Sequence, residues 1–205
     1  MFGGTSRKRS RPSPSLFAPN GRRLVLHVGC GLPNPESLHD AFRGPEWREL
    51  RLDIDAVVRP DILADITGMP EVPSESVDAV WSSHNIEHVF THEAPKVFGE
   101  FFRVLRPGGQ VVIATPDLQR AAERIVNGRL DEPMYESEAG PIAPIDMLYG
   151  FTKSIERGNP FMAHRTGYTA RTLTQRLKDV GFVDVRVSRT RQANSLWAEA
   201  RRPPA

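Results

Sequence analysis

The sequence predicts a doubly wound α/β domain with a mostly parallel sheet, and three observations carry that prediction. Apolar, strand-like runs alternate along the chain with segments of helical spacing. The first run, Leu24-Val25-Leu26-His27-Val28, is nearly continuous, as a strand buried on both faces is, and it stops at Gly29-Cys30-Gly31. A second strand closes on Leu52-Asp53-Ile54-Asp55.

The elements follow in order. Arg23–Val28 is strand one. Asn34-Pro35-Glu36 has the form of a helix start, with a capping Asn, Pro at the first position and an acid in the first turn. Leu38, Ala41 and Phe42 give that helix an apolar face, and Gly44-Pro45 stops it. Residues 47–54 read as strand two and 61–66 as a short strand ending near Asp65. Residues 77–82 are a central strand. Residues 93–105 place Val97, Phe98, Phe101, Val104 and Leu105 on one helical side, and Arg106-Pro107-Gly108-Gly109 ends the helix. Residues 110–115 are a β-branched strand and 117–127 a helix. Thr169 caps a helix carrying Leu173, Leu177 and Val180, which Gly181 closes. Residues 182–187 and 195–200 are the last two strands. The stretch 128–168 breaks this rhythm with prolines, glycines, aromatics and three of the five methionines. A long structureless loop is unusual in a compact domain, so a cap over a pocket is expected there.

Length and composition narrow the class. At 205 residues, 39% hydrophobic and 25% charged, the chain has the balance of one globular domain rather than a disordered or fibrous one. No apolar run approaches the roughly 18 residues of a membrane helix. One cysteine excludes an intrachain disulfide, so a reducing, cytoplasmic setting is expected. Six scattered histidines and that cysteine show no compact zinc spacing, and no metal is expected. Residues 1–23 hold six basic side chains and no acid, against a net charge of +2, which leaves an acidic body of −4. Residues 1–20, rich in Ser, Pro and Gly, are expected to be a disordered basic arm ahead of a domain over 21–205. The acidic body offers no basic stripe for a nucleic acid, although the arm keeps that alternative open.

The turn and the acid point to a ligand. Gly29 and Gly31 let the backbone turn sharply and approach a bound molecule with no Cβ between. A carboxylate at the end of the next strand accepts two hydrogen bonds from a ribose diol. An adenosine-bearing cofactor at the carboxyl edge of the sheet follows. A full dinucleotide fingerprint needs a third glycine, and Asn34 stands there, which weakens a nicotinamide-dehydrogenase reading.

The runs Val28-Gly29-Cys30-Gly31, Asp53, Ala64-Asp65-Ile66, Val77 through His88 and Phe102 through Gly109 together resemble class I S-adenosylmethionine-dependent methyltransferases. The likeness is to the type 11 methyltransferase domain and covers residues 23–116. It implies a seven-stranded sheet with helices on both faces, methyl transfer to a small-molecule or glycan-like acceptor, and S-adenosyl-L-methionine as cofactor. It also implies roles. Gly29, Cys30 and Gly31 lie along the methionyl part and ribose. Asp53, with Ile54 beside it and Asp55 as alternative, takes the ribose hydroxyls. Asp65 accepts from the adenine amino group, Ile66 donates its N–H, and Ser82 and Ser83 lie beside the methyl.

Methyl transfer needs a base only when the acceptor arrives protonated. His84, following the central strand, is the candidate base or acceptor-orienting group, against the plainer reading of a loop histidine bonded to backbone. His164 and Tyr168, in His164-Arg165-Thr166-Gly167-Tyr168, are a second catalytic or substrate-facing pair if the cap folds over the pocket, against a mere turn before the Thr169 helix. Glu87-His88 is expected to fix the start of the following helix and the cofactor pocket rather than do chemistry, and Cys30 to be a small turn residue. A cofactor-binding module without catalysis and a nucleic-acid methyltransferase using the basic arm remain as alternatives.

Overall fold

The computed structural model describes residues 13–18, 20–137, 139–189 and 194–205. In chain order the strands and helices are β1 (Arg23–Val28), β2 (Trp47–Asp53), β3 (Ile62–Leu63), β4 (Val77–Ser83), α1 (Ala94–Val104), β5 (Leu105–Pro116), α2 (Leu118–Val126), β6 (Tyr135–Ser137), β7 (Gly140–Ile142), α3 (Pro144–Tyr149), α4 (Thr152–Glu156), α5 (Ala170–Asp179), β8 (Val183–Arg189) and β9 (Ser195–Arg201). Seven strands form one sheet in the order β3-β2-β1-β4-β5-β9-β8, and β6 and β7 form a separate hairpin. All neighbours from β3 to β5 are parallel, while β9 runs antiparallel to both β5 and β8. The order steps outward in both directions from the β1–β4 boundary. That boundary leaves a crevice at the carboxyl ends, where ligands of open α/β sheets bind.

Two of the predicted helices open on a side-chain cap, while α1 opens without one. Asp117 Oδ1 accepts from Gln119 N–H at 3.0 Å and opens α2. Thr169 Oγ1 accepts from Thr172 N–H and opens α5. Val97, Phe98, Phe101 and Val104 of α1 and Leu173 and Leu177 of α5 are fully buried against Leu24, Leu26, Val80, Val111 and Ile113 of the sheet.

The opposite face is covered differently from the expectation of helices on both faces. Among the described residues, the connection from β1 to β2 holds two 3-10 turns, Pro35–Ser37 and Asp40–Phe42, and no α-helix. Asn34 does cap, accepting from Glu36 N–H at 3.0 Å. Arg43 then takes the carbonyls of Leu38 and Glu36 at 2.7 and 2.6 Å, which a continuing helix needs for its own N–H groups. His39 Nδ1 accepts from Ala41 N–H and starts a second turn. Leu38 and Phe42 still reach the core, packing with Val25, Trp47, Ala79, Trp81, Val112 and Ala114.

The stretch 128–168 is structured, holding β6, β7, α3, α4 and a 3-10 turn at Pro160–Met162. Ala121, Ile142 and Met147 join it to α2 in a small core of their own. Gly150 has φ +96°, and a Cβ there would lie 2.0 Å from Met162 O, so only glycine lets the end of α3 approach the Pro160–Met162 turn so closely. Of the expected N-terminal arm, residues 1–12 and 19 lie outside the described residues. Pro14–Phe17 is a 3-10 turn rather than disordered chain, since Leu16 and Phe17 pack on the core and Arg48 donates to Leu16 O. Among the described residues no helix is long and apolar enough to cross a membrane.

Candidate active site

The turn after β1 is built by backbone geometry and one carboxylate. Gly29 and Gly31 have φ of +63° and +60°, a region that L side chains enter only with strain. A Cβ on Gly29 would meet the Asn85 side chain at 2.5 Å, whereas a Cβ on Gly31 would meet nothing within 4 Å. Gly29 is therefore shaped by protein and Gly31 by open space. Asp53, 9% exposed, accepts from Gly31 N–H through Oδ2 and from Asp55 N–H through Oδ1, each at 2.9 Å. It ties the glycine turn to the end of β2. Asp55 Oδ1 caps the following turn, accepting from Val57 N–H at 2.9 Å, and Asp55 too faces the cavity at this edge.

A cavity of about 280 Å³ opens at this edge. Gly29, Gly31, Asp53, Ile54, Asp65 and Ile66 line it, together with His84. Asp65 Oδ1 accepts from both Thr67 N–H and Thr67 Oγ1 at 2.8 Å, leaving Oδ2 without a hydrogen bond among the described residues. The far wall comes from the cap, through Asn159, Phe161, Met162 and Arg165. The sequence singled out the cluster around Arg165 but chose its neighbours His164 and Tyr168. Asn85 was missed as well. Its only sequence signal is its place directly after the central strand.

Several expected site residues lie elsewhere. Ser82 is fully buried, with Oγ unpaired, and Ser83 projects to the other face of the sheet, because neighbouring strand residues alternate. Neither lines the cavity. Ser83 and Cys30 instead line a separate cleft with Trp81, His39 and Trp197. Burial pushes the Cys30 thiol up to about 12, so it is no nucleophile at neutral pH. Tyr168 is 3% exposed and packs edge-on against Phe98 at 6.1 Å. Burial first, and then the Glu87 charge, push its phenol far up. His164 does not line the cavity. Its Nδ1–H donates to Met147 O at 2.9 Å and its ring lies 5.0 Å from that of His88.

Glu87 is the unexpected centre of this region. It sits in the 3-10 turn Ile86–His88, 1% exposed. Its backbone carbonyl accepts from Arg165 and Thr166 N–H, at 2.9 and 3.1 Å, and so docks the cap onto the end of β4. Oε2 accepts from Thr115 Oγ1 at 3.0 Å, and His84 Nδ1 lies 3.4 Å from Oε1. Burial alone would push this carboxyl up. The hydrogen bond and charge of His84, with the charges of His88 and His164, win and hold it at about 2. His84, on the cavity wall, has φ +46°, a left-handed conformation uncommon for a non-glycine residue. Burial lowers His164 below its ordinary 6.5.

Comparison with known proteins agrees with the fold. Residues 26–113 match a family model described as a methyltransferase domain. The fold is similar to that of a methyltransferase from Methanosarcina mazei (15% identity, TM-score 0.57, covering 91% of this chain and 95% of that one). It is similar also to an S-adenosylmethionine-dependent methyltransferase from Archaeoglobus fulgidus (14% identity, TM-score 0.55, covering 88% and 86%). A third similar structure is the 1,6-didemethyltoxoflavin-N1-methyltransferase of Burkholderia thailandensis, with bound 1,6-didemethyltoxoflavin and S-adenosylhomocysteine (14% identity, TM-score 0.53, covering 89% and 72%). No curated protein matches the chain in sequence.

Proposed function

We propose, for a chain that carries a class I S-adenosylmethionine-dependent methyltransferase domain, that the 280 Å³ cavity holds the methyl donor and presents its methyl group to a small-molecule or glycan-like acceptor under the cap. The observation that carries this reading is Asp53. One carboxylate holds the turn at Gly31 and also lines the cavity. Each of its oxygens accepts one backbone N–H, and an ionised carboxylate has about four acceptor positions. Two remain for the ribose hydroxyls. Gly31, with no neighbour where a Cβ would stand, leaves room for the methionyl part. Asp65 takes the adenine amino group through its unbonded oxygen, and Ile66 lies beside it to donate its N–H.

Methyl transfer from a sulfonium is an in-line displacement in which positive charge leaves the reacting carbon. Exclusion of water helps it, as does holding the acceptor about 3–3.5 Å from the methyl. Phe161 and Met162 of the cap supply apolar wall for that purpose. The acceptor atom, if it is a hydroxyl, loses its proton to His84, whose ring lies on the cavity wall with Nδ1 turned to Glu87 and Nε2 left for the acceptor. Glu87 is then a positioning residue, fixing the ring as a carboxylate fixes a catalytic imidazole. The side chains of Cys30, Ser82, Ser83, His164 and Tyr168 have no part in these steps. A lone buried cysteine and an acidic body fit a cytoplasmic enzyme whose partner is a small molecule rather than a nucleic acid.

Two measurements test the reading together. Calorimetric titration with S-adenosylhomocysteine is expected to give one site per chain. Incubation with methyl-labelled S-adenosylmethionine and fractionated small-molecule extract is expected to move label into one fraction. Binding with no label transferred supports a non-catalytic module instead, and no binding at all overturns the cofactor assignment.

A further inference from the structure

We infer that Glu87, His88 and His164 form a binding site for one divalent cation of the borderline Zn2+ type, at the junction of β4, the Ile86–His88 turn and the cap. The inference stands on these residues and does not rest on methyl transfer. Spacing along the chain hides the site, because its third ligand arrives on the cap. In the fold, one ligand atom from each of the three side chains lies within 4.8 Å of the others. A tetrahedral ion with bonds of about 2.0–2.1 Å holds its ligands about 3.4 Å apart, so the three groups must close by little more than 1 Å.

Hydrogen bonding around the cluster points the same way. Glu87 is 1% exposed, and among the described residues its buried Oε1 has only the long 3.4 Å approach of His84 Nδ1. Leaving such an acceptor unsatisfied is unfavourable, and a cation removes the deficit. His164 donates Nδ1–H to Met147 O at 2.9 Å, which fixes its tautomer and leaves the Nε2 lone pair available. A backbone carbonyl behind a histidine is the usual outer partner of a metal-bound imidazole. His88 lies between two carbonyls, with Ala163 O 3.2 Å from Nδ1 and His84 O 3.1 Å from Nε2. A neutral imidazole has one N–H and can donate to only one of them. Its other nitrogen then points a lone pair at a carbonyl oxygen and gains nothing. Turned off that carbonyl and toward an ion, that nitrogen becomes a ligand.

Two imidazoles and one carboxylate select the metal class. This donor set suits Zn2+, Fe2+ or Co2+ and not Mg2+ or Ca2+, which take oxygen ligands. Three protein ligands leave at least one position open. His88 belongs to both the cluster and the cavity wall, so an ion here and an acceptor in the cavity share one side chain.

The test uses the full chain, stripped with a chelator and titrated with Co2+, with visible absorption as the readout. One equivalent is expected to bind with a tetrahedral-type spectrum and to be displaced by Zn2+ but not by excess Mg2+. Glu87→Gln and His164→Gln are each expected to weaken Co2+ binding at least about tenfold, the scale on which even outer-shell changes act. Zinc X-ray absorption on the unsubstituted protein keeps the idea testable if a variant misfolds, and is expected to show a shell of nitrogen and oxygen with two imidazoles. Substoichiometric binding, displacement by Mg2+, or affinity unchanged in both folded variants overturns the inference. The cluster is then a polar strut that fastens the cap to β4.

Discussion

The two walls of the cavity are built on different principles. At the ends of β1 and β2, the wall is made by backbone. Two left-handed glycines and one carboxylate close a turn, and the two hydrogen bonds of that carboxylate both run between residues 31 and 55. Where β4 meets the cap, the wall is made by side chains from segments distant in sequence, gathered on the buried Glu87 carboxylate. The first wall suits a ligand that never changes, since backbone cannot easily be re-aimed. The second suits an acceptor or an ion, since side chains can be exchanged without disturbing the sheet.

Acid should separate the two walls most strongly. The Glu87 carboxyl is held at about 2 in the fold against an ordinary 4.5, so between those values the folded state binds fewer protons than the unfolded. Its stabilisation is complete above pH 4.5 and lost as pH falls toward 2, a change on the order of 3 kcal/mol. Urea unfolding across that range is expected to show this loss, and Glu87→Gln to flatten it. A loss of equal size in the variant would assign the acid sensitivity to other carboxyls. His164, lowered by burial, adds a milder loss in the same direction below 6.5.

Next in size is Asp53→Ala. It removes charged hydrogen bonds from the first wall and is expected to cost about 1.5–3 kcal/mol of S-adenosylhomocysteine affinity by calorimetry. Unaltered affinity would break the ribose assignment. The glycines then sharpen the comparison from within. Gly29→Ala meets both an unfavourable φ and the Asn85 side chain at 2.5 Å, while Gly31→Ala meets the φ alone. Chemical denaturation is expected to show a loss of about 1–2 kcal/mol for the second and a larger one for the first. Equal losses would mean that Asn85 moves aside freely. The smallest effect belongs to Tyr168→Phe. Its hydroxyl is buried without a partner, so its removal should change stability by less than about 1 kcal/mol, in either direction. Label transfer should be unaffected, which a substrate-facing phenol would not allow.

How legible each part was in the sequence follows the same division. The strand ending at Val28, the turn at Gly29 and Gly31, and the acid at Asp53 were readable because pattern and spacing there are local. The helix at 94–104 was readable from its apolar spacing and that at 170–179 from its Thr169 cap and apolar spacing, and that at 118–126 was expected over 117–127. The segment at 34–42 misled, since its cap is real but Arg43 takes the carbonyls a helix requires. Ser82 and Ser83 misled because a strand end names residues, not the face to which each side chain turns. Glu87-His88 was read as fixing the next helix and the cofactor pocket, whereas the Glu87 carbonyl docks the cap through Arg165 and Thr166, and its burial beneath three histidines had no signal in spacing.

By itself, then, the sequence determined the alternating architecture and the glycine–carboxylate wall, because strand periodicity, left-handed turns and caps are decided by neighbours a few residues apart. Only the tertiary structure decided which face each strand-end side chain takes, that the cap closes on the end of β4, and that Glu87, His88 and His164 meet. Those outcomes depend on chain segments brought together by burial of the two cores, and no local pattern encodes a contact between residues that only the folded sheet makes neighbours.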